Sequence, residues 1–177
     1  MSQAIQHQHI ALTTKQLLAG SLLVSIMLCL PIKSNAGIDL WTPVNLQGGV
    51  IQAVTVDPTN ADIVYVGTAG SGIFKTTDEG LTWNAINEDL SHLDVQTIVI
   101  DPSVTSTLYA GTNGGGIFKS TDGGSNWTAV NTGIGNLNIY ELAVHSADSN
   151  IVYAASFGNL YKTTDGGQGW TRIGLPN

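Results

Sequence analysis

Lys119-Ser120-Thr121-Asp122-Gly123-Gly124-Ser125-Asn126-Trp127 reads as a tight turn. The Asp122 carboxylate can accept hydrogen bonds from backbone N–H groups of its own turn, which is why such residues favour turns over regular strands. Gly124 can take a positive φ that a side chain would resist. Trp127, three residues on, then leaves the turn in a fixed direction, with a large ring to bury. The string returns as Lys75-Thr76-Thr77-Asp78-Glu79-Gly80-Leu81-Thr82-Trp83 and as Lys162-Thr163-Thr164-Asp165-Gly166-Gly167-Gln168-Gly169-Trp170. Asp78, Asp122 and Asp165, Gly80, Gly124 and Gly167, and Trp83, Trp127 and Trp170 therefore hold equivalent places. A structural role is expected for all nine.

Outward from these turns the likeness extends over whole units, from Val56-Asp57-Pro58 to Trp83, from Ile100-Asp101-Pro102 to Trp127, and from Val144-His145-Ser146 to Trp170. Tyr65, Tyr109 and Tyr153 are spaced 44 and 44 apart; the tryptophans are spaced 44 and 43, with a deletion in Ser156-Phe157-Gly158-Asn159. A period of this length fits one four-stranded β-propeller blade. In the second unit the turn signals delimit strands at 97–100, 107–111, 116–120 and 127–131. No sustained 3.6-residue apolar period marks a helix. The expected fold is all-β, with three complete blades at about 50–87, 94–131 and 138–174.

The three turns resemble the Asp-box, or bacterial neuraminidase repeat, of sialidases, sortilin-like receptors, photosystem II assembly factors and family 74 xyloglucanases. The resemblance implies a β-propeller, and it covers three repeats. Leu40-Trp41-Thr42-Pro43-Val44-Asn45 looks like one further fourth strand. Three blades and one extra strand describe an incomplete or open propeller, truncated, closed by self-association, or paired with another protein.

Residues 1–36 read as a signal peptide: Lys15, an apolar run over 17–30, Pro31, then Ser34-Asn35-Ala36 before the expected cleavage. The run is shorter than the roughly 20 residues a spanning helix needs. Cys29, the only cysteine, would leave with it. Residues 37–177 would then be an exported domain stabilised without disulfides. Four basic residues, Lys75, Lys119, Lys162 and Arg172, would face all 13 acidic ones, a net charge of −9. That charge argues against nucleic acid and, after signal cleavage, against membrane binding.

Catalytic chemistry finds little support. Sialidases of this architecture resemble one another in an arginine cluster, and Arg172 is the only arginine. A xyloglucanase-like site needs two carboxylates about 5–9.5 Å apart. Asp94 and Glu141, read as lying just ahead of a first strand, are the weak candidates. Neither His92 nor His145 has a partner at metal-ligand spacing, so no metal and no cofactor is expected. His145 stands where the other units have Asp57 and Asp101, which read as turn formers. Phe74, Phe118 and Tyr161 repeat and are expected in the core. Tyr140 and Phe157 do not, and with His145 they are the candidates for a ligand surface. The expected function is an exported, non-enzymatic scaffold for protein or glycan binding; the alternative is a fragment of a carbohydrate-active enzyme.

Overall fold

The computed structural model describes residues 49–174. The signal peptide, Cys29 and the extra strand at 40–45 lie outside them. The described residues form twelve strands and no helix. β1 (Ile51–Asp57), β2 (Asn60–Thr68), β3 (Gly72–Thr76) and β4 (Asn84–Ala85) make one antiparallel sheet in chain order. β5 (Val95–Ile100), β6 (Leu108–Thr112), β7 (Gly116–Ser120) and β8 (Thr128–Ala129) make the second. β9 (Ile139–Val144), β10 (Val152–Ser156), β11 (Asn159–Thr163) and β12 (Thr171–Ile173) make the third. Each repeat unit is thus one blade.

Three of the four strands differ from the bounds read in the second unit: β6 lies one residue later, at 108–112 rather than 107–111, β8 stops at Ala129 rather than at 131, and β5 and β8 start elsewhere. β5 begins at Val95 rather than at 97, because a register shift between Val95 and Thr97 lets pairing with β6 continue past Gln96. β8 starts one residue after Trp127 and is short, since the Trp127 N–H donates to the Glu88 carbonyl of the preceding connection at 3.1 Å instead of joining the ladder. The meander order puts the β2–β3-type turns and the segments entering each first strand at one end of the blades. The β1–β2-type turns and the aspartate turns lie at the other. We call these the entry end and the aspartate end.

First strands lie side by side, with β5 against both β1 and β9. Between the first two blades, Tyr65 and Ile73 pack against Val95, Ile98, Leu108, Phe118 and Trp127. Between the second and third, Tyr109 and Ile117 pack against Ile139, Leu142, Val152, Tyr161 and Trp170. Each fully buried aliphatic side chain contributes about 1.5–3 kcal/mol, so cohesion resides in these two junctions. Phe118 and Tyr161 are buried there, while Phe74 is half-buried. The blades approach closely enough that a Cβ on Gly67 would stand 2.8 Å from Val95 Cγ1, and one on Gly111 2.6 Å from Ile139 Cγ2.

The deletion falls in the third blade's β10–β11 turn, Phe157-Gly158, where the other blades have three residues. It comes with an exchange of partners. Asn87 accepts from the Ile73 N–H at 2.7 Å and donates to the Ser71 carbonyl at 3.1 Å; Asn131 does the same with Ile117 and Gly115 at 2.7 and 3.0 Å. Gly72 and Gly116, at φ near +80°, leave room for those amides. In the third blade asparagine and glycine trade places as Asn159 and Gly174. Asn159 now donates to the Phe157 carbonyl at 2.9 Å.

Candidate functional site: the entry end of the blades

The aspartate end is built for rigidity. Asp78 accepts from the Thr76 hydroxyl at 2.7 Å, the Thr82 N–H at 2.8 Å and the Thr82 hydroxyl at 2.6 Å. Asp122 repeats this with the Ser120 hydroxyl at 2.8 Å and with the Asn126 backbone and side-chain N–H groups at 3.0 and 2.7 Å. Asp165 takes the Thr163 hydroxyl at 2.6 Å and the Gly169 N–H at 3.0 Å. Donors of this kind favour the charged carboxylate. The Thr76 hydroxyl foremost, then Thr82, holds Asp78 down at about 2. The Asn126 side chain foremost does the same for Asp122, also about 2, and Thr163 lowers Asp165. The three carboxylates are each occupied in their own turn and converge on nothing.

Tyrosine, lysine and tryptophan join each blade to the next. Lys75 Nζ lies 5.1 Å above the Tyr65 ring and donates to the Gly123 carbonyl at 3.1 Å. Lys119 lies 5.2 Å above Tyr109 and donates to Gly166 at 2.8 Å, and the buried Tyr109 hydroxyl donates to the same carbonyl at 3.0 Å. Trp127 and Trp170 send their indole N–H groups back to the Ile86 and Val130 carbonyls, both at 2.8 Å. Trp83 is half-buried and bonds only its own turn, at Gly80, 3.2 Å. These lysine contacts were not read from sequence, although Lys75, Lys119 and Lys162 recur with the tyrosines.

The three ligand-surface candidates do not form one surface. His145 lies in the β9–β10 turn at the aspartate end. There its Nδ1 accepts from the Ala147 N–H at 3.2 Å, as Asp57 accepts from Thr59 at 2.8 Å and Asp101 from Ser103 at 2.9 Å. It replaces a turn-capping oxygen with a ring nitrogen. Tyr140 and Phe157 are at the entry end, following Ile139 and Ser156, which are register partners across β9 and β10. Both are exposed, at 48% and 77%.

Tyr140 stands at a register shift: Ser156 pairs with Ile139 and Ala155 with Glu141, so Tyr140 has no partner. The first strands of the other blades shift at the same place, leaving Gln52 between Ile51 and Ala53 and Gln96 between Val95 and Thr97. Such β-bulges re-aim a side chain out of the ladder. Gln52 and Gln96 both turn to Asp94 Oδ1, at 2.9 and 2.8 Å, while Asn113 donates to Asp94 Oδ2 at 2.9 Å. The bulge glutamines were missed in the sequence, though the 44-residue spacing of Gln52, Gln96 and Tyr140 was there to find.

The geometry also revises the catalytic candidates. Asp94 does precede β5, but three carboxamides hold it as an acceptor that ties the first blade to the second. Glu141 is not ahead of a strand; it lies within β9, after the bulge, and accepts from Thr97 Oγ1 at 3.3 Å. The two carboxylates share no hydrogen-bond partner. Among the described residues no group of three or more His, Cys, Asp or Glu side chains is placed to hold a metal ion.

No protein-family model matches the chain, and no curated protein matches it in sequence. Solved structures do match. An ancestral GH74 enzyme superposes over 77% of this chain at 23% identity with a TM-score of 0.61, using 20% of its own length. YCF48 from Cyanidioschyzon merolae matches over 73% at 17% identity and a TM-score of 0.59, using 39% of its length. YCF48 bound to D1 peptide matches over 70% at 15% identity and a TM-score of 0.58, using 40%. The fold is that of an open β-propeller. The chain spans between one fifth and two fifths of the length of these structures.

Proposed function

We infer that this protein is an exported, non-enzymatic repeat scaffold, its three turns Asp-boxes, that binds a protein or glycan partner at the entry end of its blades. The observation that carries this reading is the exposed pair Tyr140 and Phe157, which flank the Ile139–Ser156 rung at the one described blade whose bulge residue is aromatic. Exposed rings offer stacking area at low entropic cost, and the Asn138 side-chain amide, two residues before Tyr140, offers hydrogen bonds to peptide or sugar. The peptide bound to YCF48 supports a protein partner. The test is a peptide and glycan array probed with the wild-type chain and with Tyr140→Ala/Phe157→Ala. Binding should fall at least tenfold in the variant while its melting temperature stays put; binding unchanged by the double substitution refutes this site.

The likeness to a GH74 enzyme favours a second reading, a fragment of a carbohydrate-active enzyme. Xyloglucan and β-glucan hydrolysis assays separate the two. Turnover abolished by Asp94→Asn or Glu141→Gln would establish the second and overturn the first. Export rests on residues 1–36, and N-terminal sequencing of secreted protein should begin at Gly37.

A further inference from the structure

Each of the two internal junctions has a donor face and a receiving face. The donor face carries Tyr and Lys, aimed at the next blade, and the carbonyl that takes the next tryptophan. The receiving face carries the apolar first-strand residues, the turn carbonyl and the tryptophan. At the ends of the described blades one face of each kind is left over. On the first blade Val54 is 62% exposed, whereas its equivalents Ile98 and Leu142 are 5% and 2% exposed inside the junctions. Ile51, half exposed, stands for the fully buried Val95 and Ile139. On the third blade Lys162 Nζ lies 5.6 Å over the Tyr153 ring, in the pose of Lys75 and Lys119, and among the described residues no next turn stands before it.

We propose that a second copy of this chain docks the donor face of its third blade on the receiving face of the first blade. One substitution makes the two faces complementary beyond the internal pattern. The position of Gly123 and Gly166 is Glu79 in the first blade, held at φ 59°, a conformation non-glycine residues seldom adopt. A Cβ at Gly123 or Gly166 would stand 3.3 or 3.2 Å from the lysine ammonium of the preceding blade. A carboxylate grown from that Cβ meets Lys162 of the docked copy as its counter-ion. Trp83, turned on its own Gly80 in the single chain, gains the Ile173 carbonyl, as Trp127 has Ile86 and Trp170 has Val130. One feature opposes tight docking: Ala155 replaces Gly67 and Gly111, and its methyl meets Ile51. The junction between copies is therefore looser than those within the chain. A head-to-tail contact of this kind closes into a ring if the rotation allows and otherwise grows; two copies forming a six-bladed ring is the expected product.

Sedimentation and light scattering of the purified full chain test this. Wild type should associate reversibly. Glu79→Lys and Lys162→Glu should each weaken association at least tenfold while remaining folded, and an equimolar mixture should recover it, since both junctions of the mixed pair are again complementary. Ala155→Gly should tighten association about tenfold, the relief of one overpacked methyl. A wild-type chain that stays monomeric at its highest soluble concentration overturns the proposal. So does association that neither charge reversal weakens, which would place the contact elsewhere, the N-terminal apolar run included.

Discussion

Trp127→Ala should cost far more than Trp83→Ala, though both tryptophans end the same nine-residue string. Trp127 is 1% exposed, with its ring in the junction between the first two blades and its N–H on the Ile86 carbonyl. A tryptophan buries about 150–250 Å², which at about 25 cal/mol per Å² is worth about 4–6 kcal/mol. Measured truncations of this type run to about 3–5 kcal/mol, and the orphaned carbonyl adds about 1 kcal/mol. We expect a loss of about 4 kcal/mol, a large part of the about 5–15 kcal/mol that holds a domain together. In a body of this size that is a fall of about 12–20 °C in Tm. Trp83 is half-buried and its N–H serves only its own turn, so its truncation should cost about half as much. Trp127→Phe keeps most of the area and should lose about 1–2 kcal/mol. Urea unfolding followed by far-UV circular dichroism measures all three. Equal losses at 83 and 127, or a loss below about 1 kcal/mol at 127, would refute the assignment of cohesion to the junctions.

Acid should unfold the blades through the aspartate turns. Asp78 and Asp122 titrate at about 2 in the fold, below the ordinary 3.8, and Asp165 is lowered too. The unfolded chain thus binds more protons as pH falls, so stability is full above about pH 4 and is lost towards about pH 2. A urea midpoint that holds steady across that window would contradict the hydrogen bonds described. Gly111→Ala should destabilise by about 1–3 kcal/mol through overpacking, since the new methyl comes within 2.6 Å of Ile139 and 2.7 Å of Thr97 side-chain carbons. In a double-mutant cycle with Ile139→Ala, which removes the Cγ2 that the new methyl strikes, the combined loss should be smaller than the sum of the two single losses; a neutral Gly111→Ala would show that the blades are less closely set.

The blade was legible because a 44-residue period carries its own turn chemistry, and Asp, Gly and Trp at fixed offsets leave one hairpin to build. The third strand of the second unit was read at its observed bounds for the same reason. What pairing hides was not legible. The bulge at Gln96 moved the start of β5, since an unpaired residue leaves no gap in an alternating pattern. His145 departs from the repeat in sequence, yet its ring nitrogen accepts from a turn N–H much as a carboxylate does. Glu141 and Tyr140 are adjacent in sequence, but the bulge separates them into a ladder member and an outsider, a difference set by pairing with β10 and not by either residue type.

The bulges also say where this architecture is free to change. A residue paired in a ladder answers to its cross-strand partner, to the face it lies on and to the blade beyond it. Gln52, Gln96 and Tyr140 have no cross-strand partner, and the two glutamines answer to Asp94 alone. Glutamine can become tyrosine there without disturbing a rung of the ladder, at the cost of one bond to a neighbouring side chain, so each blade offers a position where a new chemistry can be tried while the strand pairing is left as it was.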